Sequence, residues 1–104
     1  MNKTKIAMLA ALAVASGLAG AQTQGVSKNE IVVGTIQDLS GPLAGYGKQA
    51  RNGMQLRIDE LNEQSGGIHG RKLKLIAEDD GYDPKKAVLA AQKLVNQDKV
   101  FIVA

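Results

Sequence analysis

Residues 31–36 read Ile-Val-Val-Gly-Thr-Ile, and this run is the segment that decides the fold. It is an almost continuous series of β-branched residues, which is typical of a strand that is buried on both faces, as in a parallel sheet. The eight residues 40–47 that follow contain three glycines and one proline, a composition that predicts a loop. We therefore predict a buried strand that leads into a glycine-rich loop.

Helical and extended patterns alternate after this loop. Apolar residues at helical spacing predict a helix from Gly47 to the Gly66-Gly67 pair, where glycine can take the left-handed conformation found after helix ends. Asp83 as N-cap and Pro84 at the first helical position predict the start of a second helix, which extends to Val95. Residues 73–80 and 100–103 are predicted strands, and the polar residues 22–29 carry no core signal.

The order strand, helix, strand, helix, strand predicts an α/β fold, a βαβαβ unit with a parallel sheet. Two sheet orders remain open at this point. Either the strands run outward one after another, or the first strand is central and the order is 2-1-3. The third strand is apolar and has nothing after it to cover its outer side, so we expect the chain to be the N-terminal part of a larger α/β protein.

The first 21 residues have the three parts of a secretory signal peptide. Lys3 and Lys5 precede an apolar run over residues 6–15, and Ala19-Gly20-Ala21 is a small-residue cleavage pattern. We predict cleavage after Ala21, so that residues 22–104 form the mature part. The apolar run is shorter than the roughly 20 residues that a membrane-spanning helix needs. We therefore expect export to the periplasm without membrane insertion.

Composition excludes several classes of function. The 104 residues contain no cysteine, which removes disulfides, thiolate metal sites and a lipid anchor through cysteine. There are 13 Lys and Arg against 10 Asp and Glu, but Lys3 and Lys5 lie in the predicted leader, so the remainder is almost neutral. With only three aromatic residues as well, the sequence predicts no nucleic-acid partner.

The motifs that suggest cofactors, metals or catalysis have simpler interpretations. Gly45, Gly47 and Ala50 fit the G-x-G-x-x-A dinucleotide pattern, but the strand ends about eight residues before Gly45, too early for that fold. The acidic residues of segment 79–83 are expected to act as caps and turn formers, since their spacing does not fit a calcium loop. His69 is the only histidine and is expected in an exposed turn. We predict no cofactor, no metal site, no catalytic residues and no enzymatic activity.

Taken in order, several short segments resemble one known family. They are Ile31-Val32-Val33-Gly34, Leu39-Ser40-Gly41-Pro42, Tyr46-Gly47, Asn62, Gly66-Gly67-Ile68, Gly70-Arg71, Asp79-Asp80, Asp83-Pro84 and Lys93-Leu94-Val95. In order and spacing they resemble the leucine/isoleucine/valine-binding proteins, which are type I periplasmic solute-binding proteins of ABC transporters. The resemblance covers almost all of residues 30–103.

The resemblance implies a two-lobed protein with its ligand in the cleft between the lobes, and the sheet order 2-1-3 in this lobe. The loop of residues 40–47 would then lie at the mouth of the first strand, where open α/β sheets bind ligands. Gly45 and Gly47 would let the backbone approach the ligand, and Tyr46 aligns with a pocket tyrosine of close relatives. We therefore expect Ser40, Gly45 and Tyr46 to contact ligand.

The implied function is the binding of a branched-chain amino acid, or a related small amino acid or amide, and its delivery to a membrane permease. Tyr82 stands where the branched-chain members carry a cysteine, which leaves the substrate open. The alternatives are a ligand-sensing domain with the same fold and, less favoured, an exported dinucleotide-dependent enzyme.

Overall fold

The structure, a computed structural model, describes residues 23–104. The predicted signal peptide and its cleavage after Ala21 lie outside the described residues. The regular elements are β1 (Glu30–Gln37), α1 (Ala44–Ser65), β2 (Lys72–Asp79), α2 (Pro84–Gln92), a π-helix (Lys93–Gln97) and β3 (Ile102–Val103).

The three strands form a parallel sheet in the order β2-β1-β3, which confirms the predicted α/β class and the order implied by the resemblance. β1 pairs with β2 along its full length, from Glu30 opposite Lys72 to Gln37 opposite Asp79. Gly34 and Thr35 are consecutive in β1 and so point to opposite faces of the sheet, and both are buried. The central strand is therefore covered on both faces, as its apolar sequence predicts.

The core is small and lies mainly on one face of β1. Leu94 of the π-helix is fully buried, and a Cβ atom on Gly34 would lie 3.1 Å from it and 3.2 Å from Val100. On α1, Ile58 is the buried apolar side chain, and Asn62 binds the β2 backbone through Leu73 N and O at 2.9 and 2.8 Å. The absence of a side chain at Gly34 is thus what allows the π-helix to pack closely on the sheet.

The predicted helix ends are largely correct. Asp83 caps α2 by accepting a hydrogen bond from Lys85 N at 2.8 Å, with Pro84 as the first helical residue. α1 ends at Gly66, which has a left-handed φ of 66°. The second helix differs from prediction after Gln92, where it continues as a π-helix. Lys93, the first residue of that segment, forms ion pairs with Glu78 of β2 and with Asp98 beyond the last π turn.

The third strand is shorter than predicted, because an N-terminal segment occupies its place beside β1. Continuation of the sheet would join Val32 N to Val100 O. Instead, Val32 N donates to Gly25 O at 2.8 Å, and Val100 O accepts from Gln24 Nε2 at 3.1 Å. Gly25 packs so closely on Phe101 that a Cβ atom would lie 2.1 Å from Phe101 N. Gln24 and Gly25 thus pack beside β1 and the residues before β3, although the sequence of this segment carries no core signal.

Candidate functional site

The loop after β1 is organised by Asp38, a buried carboxylate that the sequence analysis did not single out. Its Oδ1 accepts hydrogen bonds from Gly41 N at 2.6 Å and from Ser40 N at 3.2 Å, and its Oδ2 accepts one from Leu43 N at 2.7 Å. A signal was present in the sequence, because an aspartate two residues before Ser-Gly-Pro can bind the backbone N–H groups two and three residues further on. Asp38 turns the chain from β1 into α1.

Helix α1 begins at Ala44, so the predicted loop of residues 40–47 is wrong in its second half. Gly47 lies in the first turns of the helix and is buried, and a Cβ atom there would lie 1.8 Å from Asp38 O. The expected approach of Gly47 to ligand is thus replaced by an approach to the backbone at the end of β1. Gly45 has open space around its α-carbon. The G-x-G-x-x-A pattern lies within this helix and not at a strand–helix turn.

The loop after β2 is joined to the loop after β1 through Asp79. Its Oδ1 accepts hydrogen bonds from Leu39 N and from Gly81 N, both at 2.9 Å. The Ser40 hydroxyl beside this carboxylate, together with the two backbone bonds and nearby Lys86, lowers the pKa of Asp79 below its usual 3.8. The bond from Leu39 N is therefore what joins the two loops, and the Ser40 side chain lies beside it.

Beyond Asp79 the chain makes a tight turn over residues 80–83, closed by a hydrogen bond from Asp83 N to Asp80 O at 2.9 Å. Both central residues have positive φ, 56° at Gly81 and 60° at Tyr82. Asp80 Oδ1 accepts from Tyr82 N at 2.9 Å. The carboxylate oxygens of Asp38, Asp79 and Asp80 lie within 4.8 Å of one another, and each of these side chains binds backbone N–H groups, as expected for caps and turn formers.

The two loops enclose an open depression of about 300 Å³ at the carboxyl edge of the sheet. Tyr46 from α1 and Tyr82 from the second turn both line it, and their side chains are largely exposed. The other lining residues are Ile36, Gln37, Asp38, Leu43, Gly47, Ala50 and Asp80. Open α/β sheets bind ligands at this edge, and a ligand site at this position remains a prediction.

The three residues predicted to contact ligand differ in their position relative to the depression. Tyr46 lines the depression, whereas Ser40 and Gly45 do not, and a ligand contact by any of them remains a prediction. His69 lies in an exposed turn before β2, at the opposite edge of the sheet, with a φ of 50°. Tyr82 is the residue of the depression that the sequence analysis noted without assigning it to the site.

A parallel sheet of order 2-1-3 with a solute-sized depression beside its central strand has the architecture of one lobe of a type I periplasmic binding protein. The sequence model of the periplasmic binding protein family matches residues 30–104, and the chain belongs to that family. Within the family, its relatives include leucine/isoleucine/valine-binding proteins, as the sequence resemblance indicates, and also a fatty acid substrate-binding protein.

Three relatives illustrate this. A Leu/Ile/Val-binding protein from Rhizobium johnstonii is 45% identical over 74 residues, which are 71% of this chain and 20% of the relative. The branched-chain amino acid transporter substrate-binding protein of Streptococcus pneumoniae, solved with isoleucine, is 35% identical with a TM-score of 0.68, over 72% of this chain and 21% of that one. A fatty acid ABC transporter substrate-binding protein from Thermomonospora curvata is 34% identical with a TM-score of 0.70, over 79% and 20%.

The chain thus spans about a fifth of the length of each of these relatives. Within residues 23–104, no helix is long and apolar enough to cross a membrane.

Proposed function

We propose that this chain is the N-terminal part of the ligand-binding domain of an exported ABC transporter substrate-binding protein. Residues 1–21 are its signal peptide, residues 22–104 belong to the binding domain, and the mature protein works in the periplasm. It binds a branched-chain amino acid or a related small amino acid or amide and delivers it to a membrane permease. Its role is binding and not catalysis, in keeping with relatives that are named as binding proteins.

The observation that carries the proposal is the depression beside β1. It is open, it lies at the carboxyl edge of the sheet, and Tyr46 exposes its ring and hydroxyl there. A tyrosine offers apolar area and a hydrogen-bonding group together, which suits a ligand that has a polar head and an apolar side chain. We place Tyr46 in direct contact with the ligand, with Ser40 and Gly45 as the other candidates.

The experiment is a ligand panel on the full-length protein that contains this chain. A bound ligand raises the melting temperature by mass action, by an amount set by its concentration relative to the dissociation constant. We expect L-leucine, L-isoleucine or L-valine, or a small amide, to raise it, and nucleotides to leave it unchanged. A protein stabilised by NAD and by no amino acid or amide would contradict the proposal.

The proposed export is tested separately. An intact-mass measurement on protein from the cell envelope should give a mature chain that begins at Gln22, because Ala19-Gly20-Ala21 is the cleavage pattern. A mass that includes residues 1–21 would contradict it.

A further inference from the structure

Tyr82 occupies a backbone position that tyrosine rarely takes. It is the second of two consecutive residues with positive φ in the turn of residues 80–83, the arrangement of a type I′ turn. Glycine and asparagine dominate such positions, because a larger side chain with a Cβ atom crowds the following carbonyl oxygen. A bulky aromatic residue there is an outlier.

The rest of the turn is built to hold this conformation. Asp79 Oδ1 accepts from Gly81 N, and Asp80 Oδ1 accepts from Tyr82 N, both at 2.9 Å. The ring is not placed there to fill the core, because Tyr82 is 63% exposed. Residues held in unfavourable backbone conformations without a packing reason cluster at ligand sites.

Tyr82 borders two surface hollows. Tyr82 and Asp80 line the depression that contains Tyr46, and the same two residues line a second open depression of about 480 Å³ beside the start of α2. Tyr82 and Asp80 therefore form the ridge between the two hollows. Among the described residues that line the two hollows there is no lysine or arginine, but there are three aspartates, Asp38, Asp80 and Asp83. This face therefore disfavours a ligand carboxylate, and its apolar surface comes from the two tyrosine rings and the aliphatic lining residues.

We propose that Tyr82 is a ligand-contacting, specificity-determining residue, which forms with Tyr46 an aromatic wall for the apolar part of the ligand and limits its size. This inference rests on the proposed function, because it assigns a second residue to the same site. Its consequence is that removal of the Tyr82 ring joins the two hollows, which weakens the binding of small ligands and favours larger ones.

The test uses the full-length protein and the variants Tyr82→Asn, Tyr82→Gly and Tyr82→Phe. The first two remove the ring but suit a positive φ, so the ligand-free melting temperature should stay the same or rise. His69→Asn is the matched control, because His69 also has a positive φ in an exposed turn but lies at the opposite edge of the sheet. Calorimetric titrations with L-alanine, L-leucine, L-phenylalanine, acetamide and benzoate give the dissociation constants.

We expect Tyr82→Asn and Tyr82→Gly to raise the dissociation constant of the best wild-type ligand at least about 5-fold. The ratio of constants should shift toward L-phenylalanine over L-alanine or L-leucine. Tyr82→Phe should stay within about 3-fold of wild type, because the apolar ring is retained, and His69→Asn should bind as wild type does.

A lower ligand-free melting temperature with unchanged dissociation constants would show that Tyr82 is purely structural and would overturn the inference alone. If Tyr82→Phe binds the ligand as weakly as Tyr82→Asn does, the apolar contact that we propose for the ring would be wrong. If no member of the panel binds the wild-type protein, the proposed function fails and this inference fails with it. If wild type binds a member of the panel and the Tyr82 variants bind it equally well, only this inference fails, so the two failures are distinguishable.

Discussion

At the scale of single residues, two glycines of α1 differ in why a side chain is absent. Gly45 and Gly47 are two residues apart, and the sequence gives no reason to treat them differently. The structure does, because Gly47 lies against the backbone carbonyl of Asp38 while Gly45 faces open space. Gly47 is therefore needed to bring the start of α1 against the end of β1.

We expect Gly47→Ala to lower the free energy of unfolding of the full-length protein by about 1–3 kcal/mol or more, since the new methyl group meets backbone that cannot move aside easily. Gly45→Ala is the matched control and should raise it by up to about 1 kcal/mol, because alanine favours the helix. Urea unfolding of both variants measures the difference. Equal stability of the two variants would contradict this account of the contact with Asp38.

Tyr46 lines the depression and is predicted from the sequence to contact ligand. Its side chain is 77% exposed, so it contributes little to folding by burial. We expect Tyr46→Ala to raise the dissociation constant of the ligand about 5- to 150-fold, the usual loss for an anchor of 1–3 kcal/mol, while the ligand-free melting temperature stays near that of wild type.

Calorimetric titration, together with thermal unfolding of the ligand-free variant, distinguishes a ligand-contacting role of Tyr46 from a structural one. Leu56→Ala is a suitable control, because Leu56 is also an exposed apolar residue of α1 but does not line the depression. Unchanged affinity in Tyr46→Ala, with a lowered melting temperature, would mean that Tyr46 packs on its helix and does not bind ligand.

At the scale of elements, the edge of the site is held by contacts between the two loops that follow β1 and β2. Asp79 is their common partner, because it accepts hydrogen bonds from Leu39 N and Gly81 N, with the Ser40 hydroxyl beside it. These donors favour its ionised form, so its pKa in the folded protein lies below the usual 3.8. The contribution of Asp79 to stability is therefore present above about pH 3.8 and is lost as the pH falls through the lower folded value.

We expect Asp79→Asn to reduce stability at neutral pH and to reduce the loss of stability on acidification below about pH 3.8. Melting temperatures of wild type and variant between pH 7 and the lowest pH at which the protein stays folded provide the measurement. Glu63→Gln, at an exposed acid on α1, is the control and should follow the wild-type curve. Parallel curves for Asp79→Asn and wild type would contradict the lowered pKa.

The end of the second helix is a case in which an element changes type because of its neighbours. The apolar spacing to Val95 predicts one helix, yet the chain passes from α2 into a π-helix at Lys93. Lys93 lies between Asp98 and Glu78, whose carboxylates accept hydrogen bonds from its Nζ and raise its pKa, with Asp98 the larger cause. Leu94 beside it is buried against Gly34. The residues of β1 and β2 that contact this segment are distant along the chain. The local sequence pattern therefore does not predict the change from α-helix to π-helix.

At the scale of the whole molecule, the described chain has a covered centre and an exposed edge. β1 is paired on both sides, while β3 has two residues, and Phe101, Ile102 and Val103 are 51%, 52% and 42% exposed. The buried apolar side chains are few, namely Ile58, Ala90, Leu94 and Val100. An apolar parallel edge and a small core both favour association.

We therefore expect residues 22–104, expressed alone, to aggregate or to unfold without cooperativity. Analytical ultracentrifugation and a thermal melt test this, with the full-length protein as the reference. A monodisperse monomer with a sharp two-state melt would contradict it and would show that the few buried side chains suffice.

The sequence by itself determined the elements whose causes are local. The β-branched run of β1, the Asp83-Pro84 start of α2 and the left-handed Gly66 depend on residues a few positions apart, so their patterns predict them. The residues alone left the strand order open, and the order 2-1-3 followed from resemblance to a family.

Only the tertiary structure decided how the loops meet. Leu39 N binds a carboxylate 40 residues further along the chain, and the Gln24 side chain binds a carbonyl 76 residues away, where it takes the place of a sheet bond. Tyr82 lines the same depression as Tyr46 because β2 pairs with β1 in parallel along its full length. This pairing brings the carboxyl ends of both strands to the same edge of the sheet. A local pattern fixes the conformation of its own residues, but distant segments meet only through the packing of the whole sheet.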